Sequence, residues 1–348
     1  MRAWIVNIWL CWLFFMASSA SQADFASNAM LGNLTSPVDT DILLEYRFYD
    51  VIWGNEQFVA VGQGALDETE VFLSPDGVAW ERVSLGKPSR PLGMSSDGAG
   101  ALYGVAWNGA IFVAVGERIL TSPDGKSWTV SATFSPCVFS AVAVHNDTFI
   151  AVGDDRGRGC LVSSLDGNTW TDKTTVLDSN NAVLTSVTHT DGQVLAIGNV
   201  NLGKFGLSSV IFSSSDGGQT WRHQLGPQDF LVDAAWSGAS FVAVGGLARQ
   251  SAIFTSLDGQ AWTERATLLQ RPLRAVRWNG ALFVAVGMEG VIATSSDGVT
   301  WTARQSQTTQ DLFGLAWSGA KFVAVGEGVL LTSQDGKEWR ASSGKDPR

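Results

Sequence analysis

Basic residues are few in this chain. Lysine and arginine number 23 against 33 aspartates and glutamates over 348 residues, a formal net charge of −10. An acidic chain with no basic stripe lacks the electrostatic footprint for nucleic acid or an anionic lipid surface. Charged residues of both signs together make up only 16%, too few for a disordered or coiled-coil chain. Histidine is rarer still: His145, His189 and His223 never fall at metal-ligand spacing, so neither a metal centre nor any other cofactor is expected. Tyrosine occurs three times (Tyr46, Tyr49, Tyr103), as does cysteine (Cys11, Cys137, Cys160).

One long apolar run exists, Ala3 to Met16, interrupted by Asn7 and preceded by Arg2. It is short for a bilayer span. Small residues follow it as Ser18-Ser19-Ala20 and Ser21-Gln22-Ala23, two cleavage patterns. Residues 1–23 therefore read as a secretory signal peptide and 24–45 as a polar, flexible leader. The expected protein is secreted or periplasmic, a monomer, with no membrane span after signal removal. Cys11 follows Leu10, not the small residue a lipid-anchor signal needs. The remaining pair, Cys137 and Cys160, allows a disulfide in an exported protein or two separate buried thiols.

Glycine (38) and tryptophan (15) are plentiful, and both recur in register. Ser-x-Asp-Gly-x-x-Trp occurs six times, and a form one residue longer runs from Ser214 to Trp221. Its aspartates are Asp76, Asp124, Asp166, Asp216, Asp258, Asp297 and Asp335, spaced 38 to 50 residues apart. Each copy is preceded by a second motif, clearest as Trp107-Asn-Gly-Ala-Ile-Phe-Val-Ala-Val-Gly116. Degenerate versions of this one run from Val144 to Gly153 and from His189 to Gly198. Repeats of about 40 residues mark a propeller or a solenoid.

The sixth copy shows the strands. Strand A is Leu273 to Trp278, with Asn279-Gly280 as a hairpin signal. Strand B is Leu282 to Val286, ended by Gly287; strand C is Val291 to Ser295; strand D surrounds Trp301 to Arg304. Four antiparallel strands per repeat specify an all-β fold, one seven-bladed β-propeller over residues 46–343, with 344–348 as a tail. Solenoid coils are shorter and lack this hairpin rhythm. The Phe-Val-Ala-Val run fits a strand buried on both faces between blades. In the C–D turn, Asp accepts hydrogen bonds from its own backbone, Gly takes positive φ, and Trp covers the hairpin end. The stretch Ile42 to Phe48 is expected to add an outer strand to the last blade.

Ser214-Ser215-Asp216-Gly217-Gly218-Gln219-Thr220-Trp221 resembles the Asp-box, or bacterial neuraminidase repeat, and the other copies resemble shortened forms of it. The resemblance covers Tyr46 to Ser343. Within it, seven copies in one domain look most like photosystem II assembly and stability factor-like propellers. That likeness implies architecture strongly and function weakly. Sialidases carrying such repeats have six blades, an Arg-Ile-Pro signature and a tyrosine nucleophile; here there are seven copies and no such signature. The acids outside the turns form no recognisable pair in sequence. Every tryptophan belongs to the apolar N-terminal run, a turn or a strand A end, so none is spare for stacking on sugar. A non-enzymatic binding or assembly module for a protein segment or exported ligand is the expected function. A glycan-active protein, lectin or divergent sialidase-like hydrolase, is the alternative.

The A–B and C–D hairpins share one face and barely vary, whereas the B–C and D–A connections share the other and vary greatly. Variable loops on a rigid frame carry function. Four residues before the end of strand A, the copies place Tyr49, Tyr103, Ser140, Thr185, Val232, Arg274 and Phe313. Tyr49, Tyr103, Arg274 and Phe313 are the ligand-binding candidates. Gln63, Glu117, Asp154, Asn199 and Glu327, just after strand B, recur as polar residues.

Overall fold

Strand B decides the architecture, because Phe-Val-Ala-Val-Gly is apolar on both sides of the pleat. In blade 1, Phe58 and Ala60 pack toward blade 7, whereas Val59 and Val61 pack toward blade 2. The same period-2 division holds round the molecule. Seven hydrophobic clusters form, each spanning the seam between two neighbouring sheets. A computed structural model describes residues 43, 45–64, 68–83, 85, 100–134, 136–174 and 182–342. Seven sheets of four antiparallel strands are present, and the members of each sheet are consecutive in sequence. The fold is an all-β seven-bladed propeller.

The innermost strands are Arg47–Gly54, Leu102–Trp107, Val138–His145, Ala182–His189, Leu231–Trp236, Leu273–Trp278 and Leu312–Trp317. Each packs beside the next, and the last packs beside the first, so the ring closes. It closes without strand exchange, since blade 7 is completed by its own Arg340–Ala341 strand. The expected outer strand from residues 42–48 is therefore corrected. Arg47 already opens strand A of blade 1, and the chain just before it clasps the 7–1 seam at the channel mouth. Gly328 N–H donates to Tyr46 O at 2.8 Å, and Arg47 pairs with Glu327 at 2.6 Å. Leu43, assigned to the leader from sequence, is buried in the core of that seam. At the opposite face Lys321 Nζ donates to Asp76 O at 2.7 Å. Gln57 Nε2 makes the equivalent 2.7 Å bond to Asp124 O across the 1–2 seam.

The C–D turns follow their chemistry. In all seven, the serine hydroxyl donates to aspartate Oδ1, which in turn accepts two backbone N–H groups. Every turn tryptophan donates Nε1–H to the glycine carbonyl three residues earlier. Donation from Thr300 and Val299 N–H holds the Asp297 carboxyl down at about 2. The A–B hairpin of blade 6 differs in detail from the expected tight Asn-Gly turn. Asn279 sits one place before the two central residues; its Oδ1 accepts from Ala281 and Leu282 N–H, and Gly280 alone of the turn has positive φ. That is the II′ arrangement, with glycine first.

Some B–C connections are hairpin extensions of strands B and C. Asp154 pairs with Gly159, and Asn199 to Asn201 pair with Ser209 to Leu207. The D–A connection from Leu85 to Ala101 lies mostly outside the described residues, as does the N-terminal apolar segment.

Candidate functional site

Every strand A carries one extra residue. The register against strand B jumps between Phe48 and Asp50, Leu102 and Gly104, Phe139 and Ala141, Leu184 and Ser186, Leu231 and Asp233, Leu273 and Ala275, and Leu312 and Gly314. The residues skipped are Tyr49, Tyr103, Ser140, Thr185, Val232, Arg274 and Phe313. These are the seven positions singled out by variation among the repeats. A β-bulge leaves its extra residue outside the ladder and re-aims its side chain. It also pushes the strand A backbone over the end of strand B. A Cβ on Gly116 would lie 1.9 Å from Ala101 O, and one on Gly326 1.9 Å from Asp311 O. The glycine ending strand B is thus required by the bulge opposite it.

The bulge residues form a ring at the end of the channel where the D–A connections enter. Its two halves differ. Blades 3, 4 and 5 contribute Ser140, Thr185 and Val232, while blades 6, 7, 1 and 2 contribute Arg274, Phe313, Tyr49 and Tyr103. The Tyr49 ring lies 4.9 Å from that of Tyr103 and 5.8 Å from that of Phe313, so three candidates form one aromatic crescent over contiguous blades. Tyr49 is only 8% exposed, and its hydroxyl donates to Gln63 Oε1 at 3.0 Å. It holds the crescent together, while the half-buried Tyr103 and Phe313 offer surface. Arg274 is half-buried on the adjoining blade, with Nη2 3.3 Å from Met288 Sδ. Burial pulls its guanidinium below the usual range, against the opposing charge of Asp311.

Beside the crescent lies a charged cluster that the sequence reading missed. Arg277 Nη1 donates to Asp233 Oδ2 at 2.7 Å, and its Nη2 lies 3.9 Å from Asp50 Oδ1. These residues come from blades 6, 5 and 1, so the arginine reaches past blade 7. Blade 7 has Gly314 at the matching place, where a Cβ would stand 2.7 Å from Asp50 Cα. Each carboxylate also accepts a backbone N–H from the next blade, Val105 for Asp50 and Val276 for Asp233. Ser186 donates to Asp233 Oδ1 at 2.8 Å. Burial pushes the Asp50 carboxyl up to about 6, with Arg277 pulling the other way. For Arg277 burial opposes the charge, but Asp233 and Asp50 hold the guanidinium above its usual range.

A signal for this cluster existed in the repeats. Three places before the end of strand A the copies read Asp50, Gly104, Ala141, Ser186, Asp233, Ala275 and Gly314. One place before it they read Ile52, Ala106, Ala143, Thr188, Ala235, Arg277 and Ala316. Charges standing where other copies carry mostly small residues mark the channel.

The polar residues after strand B serve mainly the frame. Asn199 exchanges two hydrogen bonds with the backbone of Leu231 across the 4–5 seam, Asp154 accepts Gly157 N–H, and Glu327 pairs with Arg47. Cys137 and Cys160 form a disulfide tying the entry of blade 3 to its strand C. His145 and His189, distant in sequence, bring their rings to 5.3 Å where blades 3 and 4 lack the strand A tryptophan. Among the described residues no group of three or more His, Cys, Asp or Glu is placed to hold a metal ion. No helix among them is long and apolar enough to cross a membrane.

No protein-family model matches the chain, and no curated protein is significantly similar to it. Solved structures do resemble it. YCF48 bound to D1 peptide is 14% identical, with 83% of this chain and 92% of that chain covered and a TM-score of 0.60. The WD40 β-propeller domain of Doa1 is 10% identical over 84% and 96%, with a TM-score of 0.59. The β-propeller domain of Cps50 (Swd1) from Myceliophteria thermophila is 11% identical over 82% and 96%, at 0.55. At these identities the shared property is the fold.

Proposed function

We propose that this chain is an exported, non-enzymatic binding module of the Asp-box repeat type, which captures an extended segment of a partner polypeptide at the channel mouth. The aromatic crescent of Tyr49, Tyr103 and Phe313 beside Arg274 carries the reading. Rigid rings give large contact area at low entropic cost, and a flanking guanidinium recognises a carboxylate or backbone carbonyl. Tyr49 is a positioning residue; Tyr103, Phe313 and Arg274 touch the ligand. The solved propeller with a bound D1 peptide supports a peptide as the ligand class. Export is supported by the apolar N-terminal segment and by the Cys137–Cys160 bond, which suits an oxidising compartment. A ring whose blades are each complete needs no second copy, which supports a monomer.

Selection from a display library of random peptides tests the reading. Enriched sequences should compete with one another and lose binding when Tyr103, Phe313 and Arg274 are replaced by alanine. Binders indifferent to that replacement contradict it.

Asp50 and Asp233 favour a glycan-active role as the second reading. Glycoside hydrolysis uses two carboxylates, one kept protonated near neutral pH by its surroundings. Against this, both Asp50 oxygens accept backbone N–H groups and Arg277 lies against both acids. Hydrolysis of any glycoside in a substrate panel that disappears in Asp50→Asn would move the assignment to this reading.

A further inference from the structure

The outer side of the seam between blades 4 and 5 is acidic and partly apolar. Strand D of blade 4, the connection after it and the outer half of blade 5 enclose a groove of about 540 Å³. Leu225, Pro227, Phe254 and Trp262 supply its apolar surface, and Leu225 is 61% exposed. The Trp262 indole is fixed by donation from Nε1 to Gly259 O at 3.2 Å.

Among the described residues the charges lining the groove are negative, those of Asp229 and Glu264. Asp229 is held in place by accepting Phe230 N–H at 2.7 Å. Burial and then the nearby Glu264 push its carboxyl up. Among the described residues no basic side chain forms an ion pair with either acid. The corresponding strand D position in blade 1 is Arg82, which pairs with the buried Glu70. Here the acid has taken that place and no internal cation accompanies it.

We propose that this groove is a second binding site, separate from the channel mouth, for an arginine or lysine side chain of a partner polypeptide. The alkyl stem covers Leu225 and Pro227, the head bridges the two carboxylates, and the indole adds a cation–π contact. The net charge of −10 favours approach by a basic segment.

The test titrates the whole protein with acetyl-Gly-Arg-Gly-amide, following the Trp262 indole N–H resonance, which is assigned by its loss in Trp262→Phe. Acetyl-Gly-norleucyl-Gly-amide controls for the stem. The arginine peptide should give a saturable shift with a midpoint near ~1 mM, as expected of one exposed charged side chain. The norleucine peptide should give none. Asp229→Asn combined with Glu264→Gln should weaken binding about ten-fold, and the exposed Glu264→Gln alone about three-fold, given the strength of such pairs. Alanine at Tyr103, Phe313 and Arg274 should leave this binding unchanged, so failure here is distinct from failure at the mouth. Equal shifts from both peptides, no saturable shift, or full binding by the Glu264→Gln variant would overturn the proposal.

Discussion

Arg277 on blade 6 holds a guanidinium nitrogen 3.9 Å from the carboxylate of Asp50 on blade 1, two blades further round the ring. The contact joins non-adjacent parts of the propeller through its channel, and the burial of Asp50 there, which Arg277 only partly offsets, makes the fold sensitive to pH. Asp50 titrates near 3.8 in a solvated chain and at about 6 in the folded one. Between these values the unfolded chain binds fewer protons, so ionisation of Asp50 lowers folded stability as pH rises, by up to ~3 kcal/mol.

Asp50→Asn isolates that effect. Its stability relative to wild type should rise as pH is taken from 4 to 8 and level off above about 7, because asparagine does not ionise. The offset between the two proteins includes one weakened backbone acceptor, but the slope reports Asp50 alone. Denaturant unfolding at a series of pH values measures it; a flat difference would show that Asp50 is not buried as described.

A second prediction concerns the bulges. Gly326→Ala places a Cβ 1.9 Å from Asp311 O, whereas Gly192→Ala meets nothing within 4 Å and has no positive φ to strain. The first change should cost about 3 kcal/mol or more through overpacking against backbone. The second should be neutral or stabilise by ~0.5 kcal/mol. Urea unfolding of the two variants compares them, and equal values would show that strand B does not need its terminal glycine.

The disulfide supplies a third. Cys137 and Cys160 are separated by 23 residues, and closing such a loop stabilises by about 3 kcal/mol in the chain-entropy account. Cys137→Ala with Cys160→Ala should lower the melting temperature, and reductant should lower that of wild type but not of the variant. A reductant-insensitive wild type would mean the two thiols are not joined.

Much of this is legible in the sequence. Serine, aspartate, glycine and tryptophan at fixed offsets act within one turn, so local spacing suffices to place them. The Phe-Val-Ala-Val runs announce a strand buried twice. Variation among the repeats singled out the position of Tyr49, Tyr103, Arg274 and Phe313, because repeats serve as comparisons for one another, but the bulge there shows only in the strand register. The burial of Tyr49 was not legible, since it depends on Gln63 and on rings from two other blades. That Asp50, Asp233 and Arg277 meet was not legible, since they come together only after the ring has closed. The clasp at Tyr46 and Arg47 depends on Glu327 and Gly328 at the far end of the chain.

The central claim is that the crescent at the channel mouth binds polypeptide. The most direct measurement is calorimetric titration of one selected peptide into wild-type protein and into the Tyr103→Ala, Phe313→Ala, Arg274→Ala variant, with matching melting curves as evidence that both are folded. Two aromatic contacts and a guanidinium predict a loss of about a hundred-fold or more in affinity. An unchanged dissociation constant in a folded variant would contradict the account and move the search for a site away from the mouth.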